Sequence, residues 1–290
     1  VRRYLRDNNP IRVSRSYRDI AYKAINYKDK FICENQREPS INEIAEFLNL
    51  ELRLDCFKAD SSNNGLQVDA PYTEVKKICF GVDASLDFFK EARARGADMC
   101  VVHHGLSWGD SLKRITGVNY KLVSYLINNN MALYGVHLPL DAHPIYGNNA
   151  TLARELGLTN IQPFGEYHGM TIGFKGEYPA PISIKDFCMK VRELPHRGNF
   201  NALGFGKKEV KTVGIISGGA ADCVEQAAEA GLDVYLTGEV NLQAFNLCRH
   251  LEMNMVAAGH YATECGGVKQ LSALVRNNFD VETEFIDLSL

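Results

Sequence analysis

The sequence predicts an α/β protein whose sheets are mainly parallel, arranged in two halves and preceded by a helical N-terminal extension. Three observations predict it. Short apolar, β-branched runs alternate with amphipathic segments of helical length, the signature of βαβ units. The alternation occurs twice, on either side of a less regular middle. And the first 40 residues differ in charge from the rest: they hold ten Lys/Arg and five Asp/Glu, whereas the remaining 250 hold 22 basic and 30 acidic residues. The expected division is 1–42 for the basic extension, 43–158 for the first α/β half and 159–290 for the second.

The extension reads as helical: "SRSYRDIAYKAINYKDKFICENQ" spaces Ile20, Ala24, Tyr27 and Phe31 at helical intervals. In "REPSINEIAEFLN", Ser40 and Glu43 form a capping box ahead of Ile44, Phe47 and Leu48. "DSSNNGLQVD" is rich in turn residues and reads as a loop. Next come a strand in 75–83, a helix in 85–96 closed by Gly96, a strand ending in "CVVHH", a helix in 120–130, a strand in 131–137 and a helix in 148–157. The second half repeats the theme. "TVGIISGGA" is a strand running into a glycine turn, followed by a helix in 222–231, a strand in 232–239, a helix in 242–252 and the strand "MNMVAAGH". The helix "GGVKQLSALVRNNF" and the strand "VETEFIDLSL" close the chain.

Composition narrows the function classes. Apolar residues make up 46% and charged residues 23%, ordinary for a globular protein, and no apolar run approaches the roughly 20 residues of a membrane span. The N-terminus "VRRYLRDNNP" is polar, with no apolar stretch of a signal peptide behind it. The eight cysteines, at 33, 56, 79, 100, 188, 223, 248 and 265, form no C-x-x-C pair and read as thiols in a reducing compartment. The expected location is cytoplasmic. The charged face of a short N-terminal helix is ordinarily solvated, so nucleic acid is not expected as a partner.

Chemistry concentrates at strand ends, where parallel sheets bind ligands. Three predicted strands end in imidazole: His103–His104, His137 and His260. Two of these are followed four residues later by a carboxylate, Asp141 in "HLPLD" and Glu264 in "HYATE"; four residues is about one helical turn, so both side chains can address one centre. Four His, one Asp and one Glu exceed what one tetrahedral ion needs and suit two divalent ions. Imidazole with carboxylate selects poorly among Zn, Mn, Fe and Ni. The remaining histidines, His143, His168, His196 and His250, read as structural or solvated. "ISGGAAD" lacks a phosphate-loop pattern and reads as a tight turn, Glu239 in "TGE" as a residue supporting the site or a cap, and Trp108 as a pocket wall or core residue.

Together, "NNGLQV", "HHGLSW", "HLPLDAHPIYGNNA", "LTGE" and "AAGHYATECGG" resemble the Nif-three-like family, whose members are often labelled homologues of type-2 GTP cyclohydrolase I. The resemblance runs from about residue 43 to the C-terminus and is to the compact members, which lack a large mid-chain insertion. It implies two interlinked α/β halves, a dinuclear metal centre ligated by His103, His104, His137, Asp141, His260 and Glu264, and a ring-shaped homohexamer with the metals facing an inner cavity. It implies a metal-dependent hydrolase acting on GTP or a related purine nucleotide; the alternative is a non-catalytic metal-binding or regulatory ring. Where close relatives carry a histidine in the helix after "TGE", this chain has Asn246. Residues 1–48, with "NNPIRVSRSYRDIAYKAI" and "REPSINEIAEFL", resemble the middle region of a sporulation-type sigma factor.

Overall fold

A computed structural model describes residues 37–71 and 74–288; the helix expected in 14–36 lies outside them. The chain folds into two compact units, the first, among the described residues, 37–140 with 268–288 and the second 141–267, so it passes from one to the other after residues 140 and 267. No helix among the described residues is long and apolar enough to cross a membrane.

The first of the two begins with α1 (Ile41–Glu51), where the capping box is formed: Ser40 Oγ accepts from Glu43 N, and Glu43 Oε2 accepts from Ser40 N at 2.7 Å. Ile41, Ile44, Phe47 and Leu48 are buried, and Phe47 meets Phe279 edge-on at 5.1 Å. This helix therefore belongs to the core of the α/β unit. Its sheet comprises β1 (Gly65–Val68), β2 (Lys77–Asp83), β3 (Met99–His104), β4 (Ala132–Gly135) and β11 (Glu282–Phe285), in the order β1-β4-β3-β2-β11. All neighbours are parallel except β1, which is antiparallel to β4. β1 corrects the loop expected at 60–69. Four residues are too few to show an alternation, and the turn residues before Gly65 mask the strand. Helices α2 (Leu86–Ala94) and α3 (Gly117–Asn128) make the crossovers. Phe88, Phe89 and Leu126 pack with Cys79, Cys100 and Leu133 in the core between helices and sheet.

At the boundary between the units, α4 (Leu138–Asp141) is a single turn. The second unit continues with α5 (Asn148–Glu155), β5 (Thr159–Tyr167), β6 (Met170–Ser183), α6 (Ile184–Arg192), β7 (Asn201–Gly204), β8 (Glu209–Ile215), α7 (Val224–Glu229), β9 (Val234–Thr237), α8 (Leu242–His250) and β10 (Asn254–Ala257). Its sheet runs β5-β6-β8-β9-β10-β7. The central β8-β9-β10 trio is parallel and the flanking pairs are antiparallel, so this sheet is mixed. The irregular middle of the sequence is a long hairpin, β5–β6, turned at His168 and Gly169, both with positive φ. α9 (His260–Asn278) starts earlier than the expected "GGVKQ" and runs 19 residues.

One device occurs in both units. Asp98, just before β3, accepts the amides of Lys76 and Lys77 at 2.8 and 3.1 Å. Asp233, just before β9, accepts those of Lys211 and Thr212 at 2.9 and 3.0 Å, together with the Thr212 hydroxyl and Lys207 Nζ. Each carboxylate thus pins the start of one parallel strand to its neighbour. Partial burial opposes ionisation of Asp233, but Lys207 and the three hydrogen bonds from residues 211 and 212 outweigh it and hold the carboxyl down to about 2. A depressed pKa stabilises the fold above the ordinary value of 3.8 and loses that stabilisation as pH falls toward 2. Asp233→Asn is expected to cost about 1–2 kcal/mol at pH 7, allowing for solvent screening, and almost nothing at pH 2. Urea unfolding of both proteins across that range checks this; a cost that does not change with pH would contradict it.

Candidate metal-binding residues

In the first unit, His103 and His104 are the last two residues of β3, and His137 follows β4 by two residues. Neighbouring parallel strands bring the three together. Ring centroids are 4.6 Å apart for His103–His104, 5.2 Å for His103–His137 and 5.8 Å for His104–His137. One nitrogen of each lies within 4.8 Å of one from each of the other two. His103 is fully buried.

What turns these rings into a donor group is the other nitrogen. His103 Nδ1 donates to the Val136 carbonyl at 2.9 Å. His104 Nδ1 meets Asp83 at 2.7 Å, and His137 Nδ1 meets Asp60 at 2.9 Å. An oxygen acceptor at Nδ1 fixes the proton there and leaves Nε2 as the lone-pair nitrogen, the arrangement that metal-ligating histidines adopt. Asp83 and His104 are register partners on β2 and β3, which is why the pair forms.

The loop after the double histidine is fastened by Gln67 of β1. Its Oε1 accepts the amides of Leu106 and Ser107 at 2.7 and 3.1 Å, and its Nε2 donates to Asn63 O at 2.9 Å. The side chain lies across Gly105 and Gly135, where any Cβ would overlap it. Trp108 donates Nε1–H to Gly105 O at 2.7 Å and stands edge-on to His137 at 4.9 Å between centroids. It is half-buried and forms a wall beside the imidazoles.

In the second unit the C-terminal ends of β8, β9 and β10 carry Gly218, Glu239 and His260. His260 opens α9, and Glu264 lies one turn on, with Oε1 3.3 Å from His260 Nε2. An Asp141 oxygen lies within 4.8 Å of a Glu264 oxygen. Asp141 and Glu264 are both buried, 5% and 2% exposed. Two buried carboxylates this close repel one another unless a positive charge or a shared proton offsets them. Asp141 is held by Asn148 Nδ2 at 2.8 Å and Ser217 Oγ at 2.9 Å. Glu239 meets His260 Nδ1 at 2.7 Å, repeating the arrangement of Asp83 and His104.

Glu264, bonded to Nε2, draws the His260 imidazole up to about 9 against the effect of burial, with Glu239 adding to it. Without metal, His260 therefore carries two protons at pH 7, and an ion binding at Nε2 must displace one.

The "ISGGA" turn packs on this pair. Gly218 has φ +68°, and a Cβ there would overlap Glu264 Oε1; its amide donates to Thr263 Oγ1 at 3.0 Å. The turn is a wall for the carboxylate.

The spacing of histidines and carboxylates thus selects side chains that converge within each unit. Asp60, Asp83 and Gln67 had no part in it. One signal was present: Asp83 precedes His104, and Glu239 precedes His260, by 21 residues each, the length of one strand-to-strand crossover. Of the other histidines, His143 is buried, stacks on Tyr146 at 5.0 Å and accepts the Tyr146 amide at Nδ1, a structural role. Asn246 is exposed on α8.

Residues 39–289 match a family profile described as Duf34/NIF3 (NGG1p interacting factor 3). The chain is similar to a protein of Pyrococcus abyssi named GTP cyclohydrolase 1 type 2 homolog, 40% identical over 245 residues, covering 84% of this chain and 96% of that protein. It is likewise similar to one of the same name from Haemophilus influenzae, 37% identical, covering 85% and 97%. Among solved structures, protein ybgI, titled as of unknown function, superposes with a TM-score of 0.80 at 34% identity, covering 87% of this chain and 99% of that one. TTHA1606 of Thermus thermophilus does so with 0.79 at 31%, covering 87% and 99%. The profile match includes residues 39–48, and the resemblance of residues 1–48 to a sigma factor is not supported. The burial of Ile41, Ile44, Phe47 and Leu48 gives the physical reason: this helix completes the α/β core.

Proposed function

The chain belongs to the Duf34/NIF3 family, and from that membership we propose that it is a metal-dependent hydrolase that uses two divalent ions to open the imidazole ring of a purine nucleotide, the type of reaction named for its relatives. The observation that carries the reading is the donor set: four imidazoles whose Nδ1 atoms face oxygens, and two buried carboxylates. The proposed ligands are His103, His104, His137, Asp141, His260 and Glu264. A homohexameric ring in the cytoplasm is part of the same reading; free thiols throughout the described residues agree with a reducing compartment.

When bound, the ions supply Lewis acidity and draw the pKa of water toward neutrality. The chain's own residues do the rest. Asp141 and Glu264 offset the cationic charge. Asp83, Asp60 and Glu239 hold their imidazoles in one tautomer. Glu239 is 57% exposed at its side chain, so water reaches the carboxylate that holds His260 Nδ1. Trp108 offers a flat apolar face beside the donors on which a purine can stack.

One observation favours the second reading, a metal-binding ring without catalysis. The glycine turn at 216–220 faces the carboxylates of Glu264 and Glu239, which would repel a phosphate. Elemental analysis of the purified protein is expected to give two divalent ions per chain. With GTP, the loaded protein is expected to change the purine absorbance, and a chelator to abolish the change. Full occupancy with unchanged absorbance would favour the ring; one ion or none would end the two-ion reading.

A further inference from the structure

His137 is gripped more tightly than its neighbours, and from one place. Asp60, at the head of "DSSNNG", has a side chain only 1% exposed, and four donors converge on it. Oδ1 takes the Ser62 amide at 3.0 Å and His137 Nδ1 at 2.9 Å. Oδ2 takes Asn64 Nδ2 at 2.9 Å and the Leu138 amide at 3.0 Å. Asn64 returns the grip, its Oδ1 accepting the His137 amide at 2.7 Å. The ring of His137, its own amide and the amide after it are thus all fixed by a five-residue loop. The carboxylates on His104 and His260 are different, with side chains 49% and 57% exposed, where water competes for the same bonds.

We propose that Asp60 is the positioning residue that commits His137 to metal binding, by fixing the ring's rotation and holding its proton on Nδ1. The inference rests on the metal reading above and adds to it a residue that ligates nothing. Asp60→Asn shows how the lock works. Its amide must turn a donor toward one of the two pairs. Turned toward Asn64 and Leu138, it would force the Asn64 amide to flip and cost the His137 amide its acceptor as well. Turned toward Ser62 and His137, it loses one backbone bond and donates to His137 Nδ1. The ring proton then moves to Nε2, and the lone pair leaves the metal-facing nitrogen. The second arrangement breaks fewer bonds.

The test uses the full chain labelled with ¹⁵N in the histidine rings, read by solid-state NMR, with a His137→Gln spectrum assigning the resonance. Metal-free wild type is expected to show His137 as the Nδ1–H tautomer, and Asp60→Asn to show it as Nε2–H. Zn²⁺ titration is expected to give an affinity about 10–100-fold weaker in the variant. The wild-type spectrum alone decides the matter should the variant not fold: His137 as the Nε2–H tautomer, or a mixture of the two, overturns the inference. So does a folded variant with unchanged tautomer and unchanged Zn²⁺ affinity. A wild type that takes up no Zn²⁺ yet shows the locked tautomer overturns the metal reading and, with it, the role assigned to Asp60.

Discussion

Glu264→Gln is expected to strip the protein of metal while leaving it folded. The side chain is 2% exposed, 3.3 Å from His260 Nε2 and within 4.8 Å of an Asp141 oxygen, so it is the donor shared by both neighbours. Glutamine keeps the shape and removes the charge that offsets the ions. Since loss of a merely supporting group costs 10–100-fold in metal affinity, loss of a ligand charge should cost more than about 100-fold. Glu284→Gln is the control. Glu284 lies in β11, paired with Lys77 at 3.1 Å and with Arg95 at the surface, and pairs of that kind contribute about 0–1 kcal/mol. Its metal content should stay full. If Glu264 served only the dipole of α9, one turn inside its start, its loss would cost at most about 0.3–1 kcal/mol and no metal. The pH profile separates the cases further. His260 is held at about 9 chiefly by Glu264, so wild-type metal affinity should climb with pH from the ordinary 6.5 toward 9 as the competing proton leaves. In the variant the climb should end at lower pH. In metal-free protein the same pair stabilises the fold fully below 6.5 and loses that contribution as pH rises through about 9. Equal metal occupancy in the two variants would remove Glu264 from the site.

Removing residues 1–42 is expected to cost about 4–5 kcal/mol more than removing residues 1–36. The difference is six residues. They include Ser40, whose capping box starts α1 and whose loss costs about 1 kcal/mol. They include Ile41, 2% exposed, worth about 2–3 kcal/mol of burial. The carbonyl of Pro39, which accepts the Val75 amide at 2.8 Å, adds about 1 kcal/mol. Thermal unfolding of the two truncations side by side measures it. Equal melting temperatures would mean that the cap of α1 and Ile41 contribute nothing to the core; metal loss in the shorter deletion would give residues 1–36 a part in the site.

Features that live within one turn or one strand are legible in the order of residues alone. Ser40 and Glu43 announced a helix start because capping is a local bond. β2-α2-β3 and β8-α7-β9-α8-β10 were legible because periodicity reports which face of each segment is buried. His260 and Glu264 were legible as a pair because four residues make a helical turn wherever the helix sits. Tertiary structure alone decided the rest, and for one reason: the identity of a partner is not written in local periodicity. Nothing in "VETEFIDL" says that β11 pairs with β2, some 200 residues back, instead of with the strand before it. The hairpin β5–β6 was illegible because its mixed burial pattern resembles that of a loop until the second strand is paired to the first. Gln67 and Asp60 read as ordinary loop polar residues. They become the clasp of the double-histidine loop and the lock on His137 only once the fold brings together residues 39 and 77 positions apart, because a hydrogen bond is specified by distance in space.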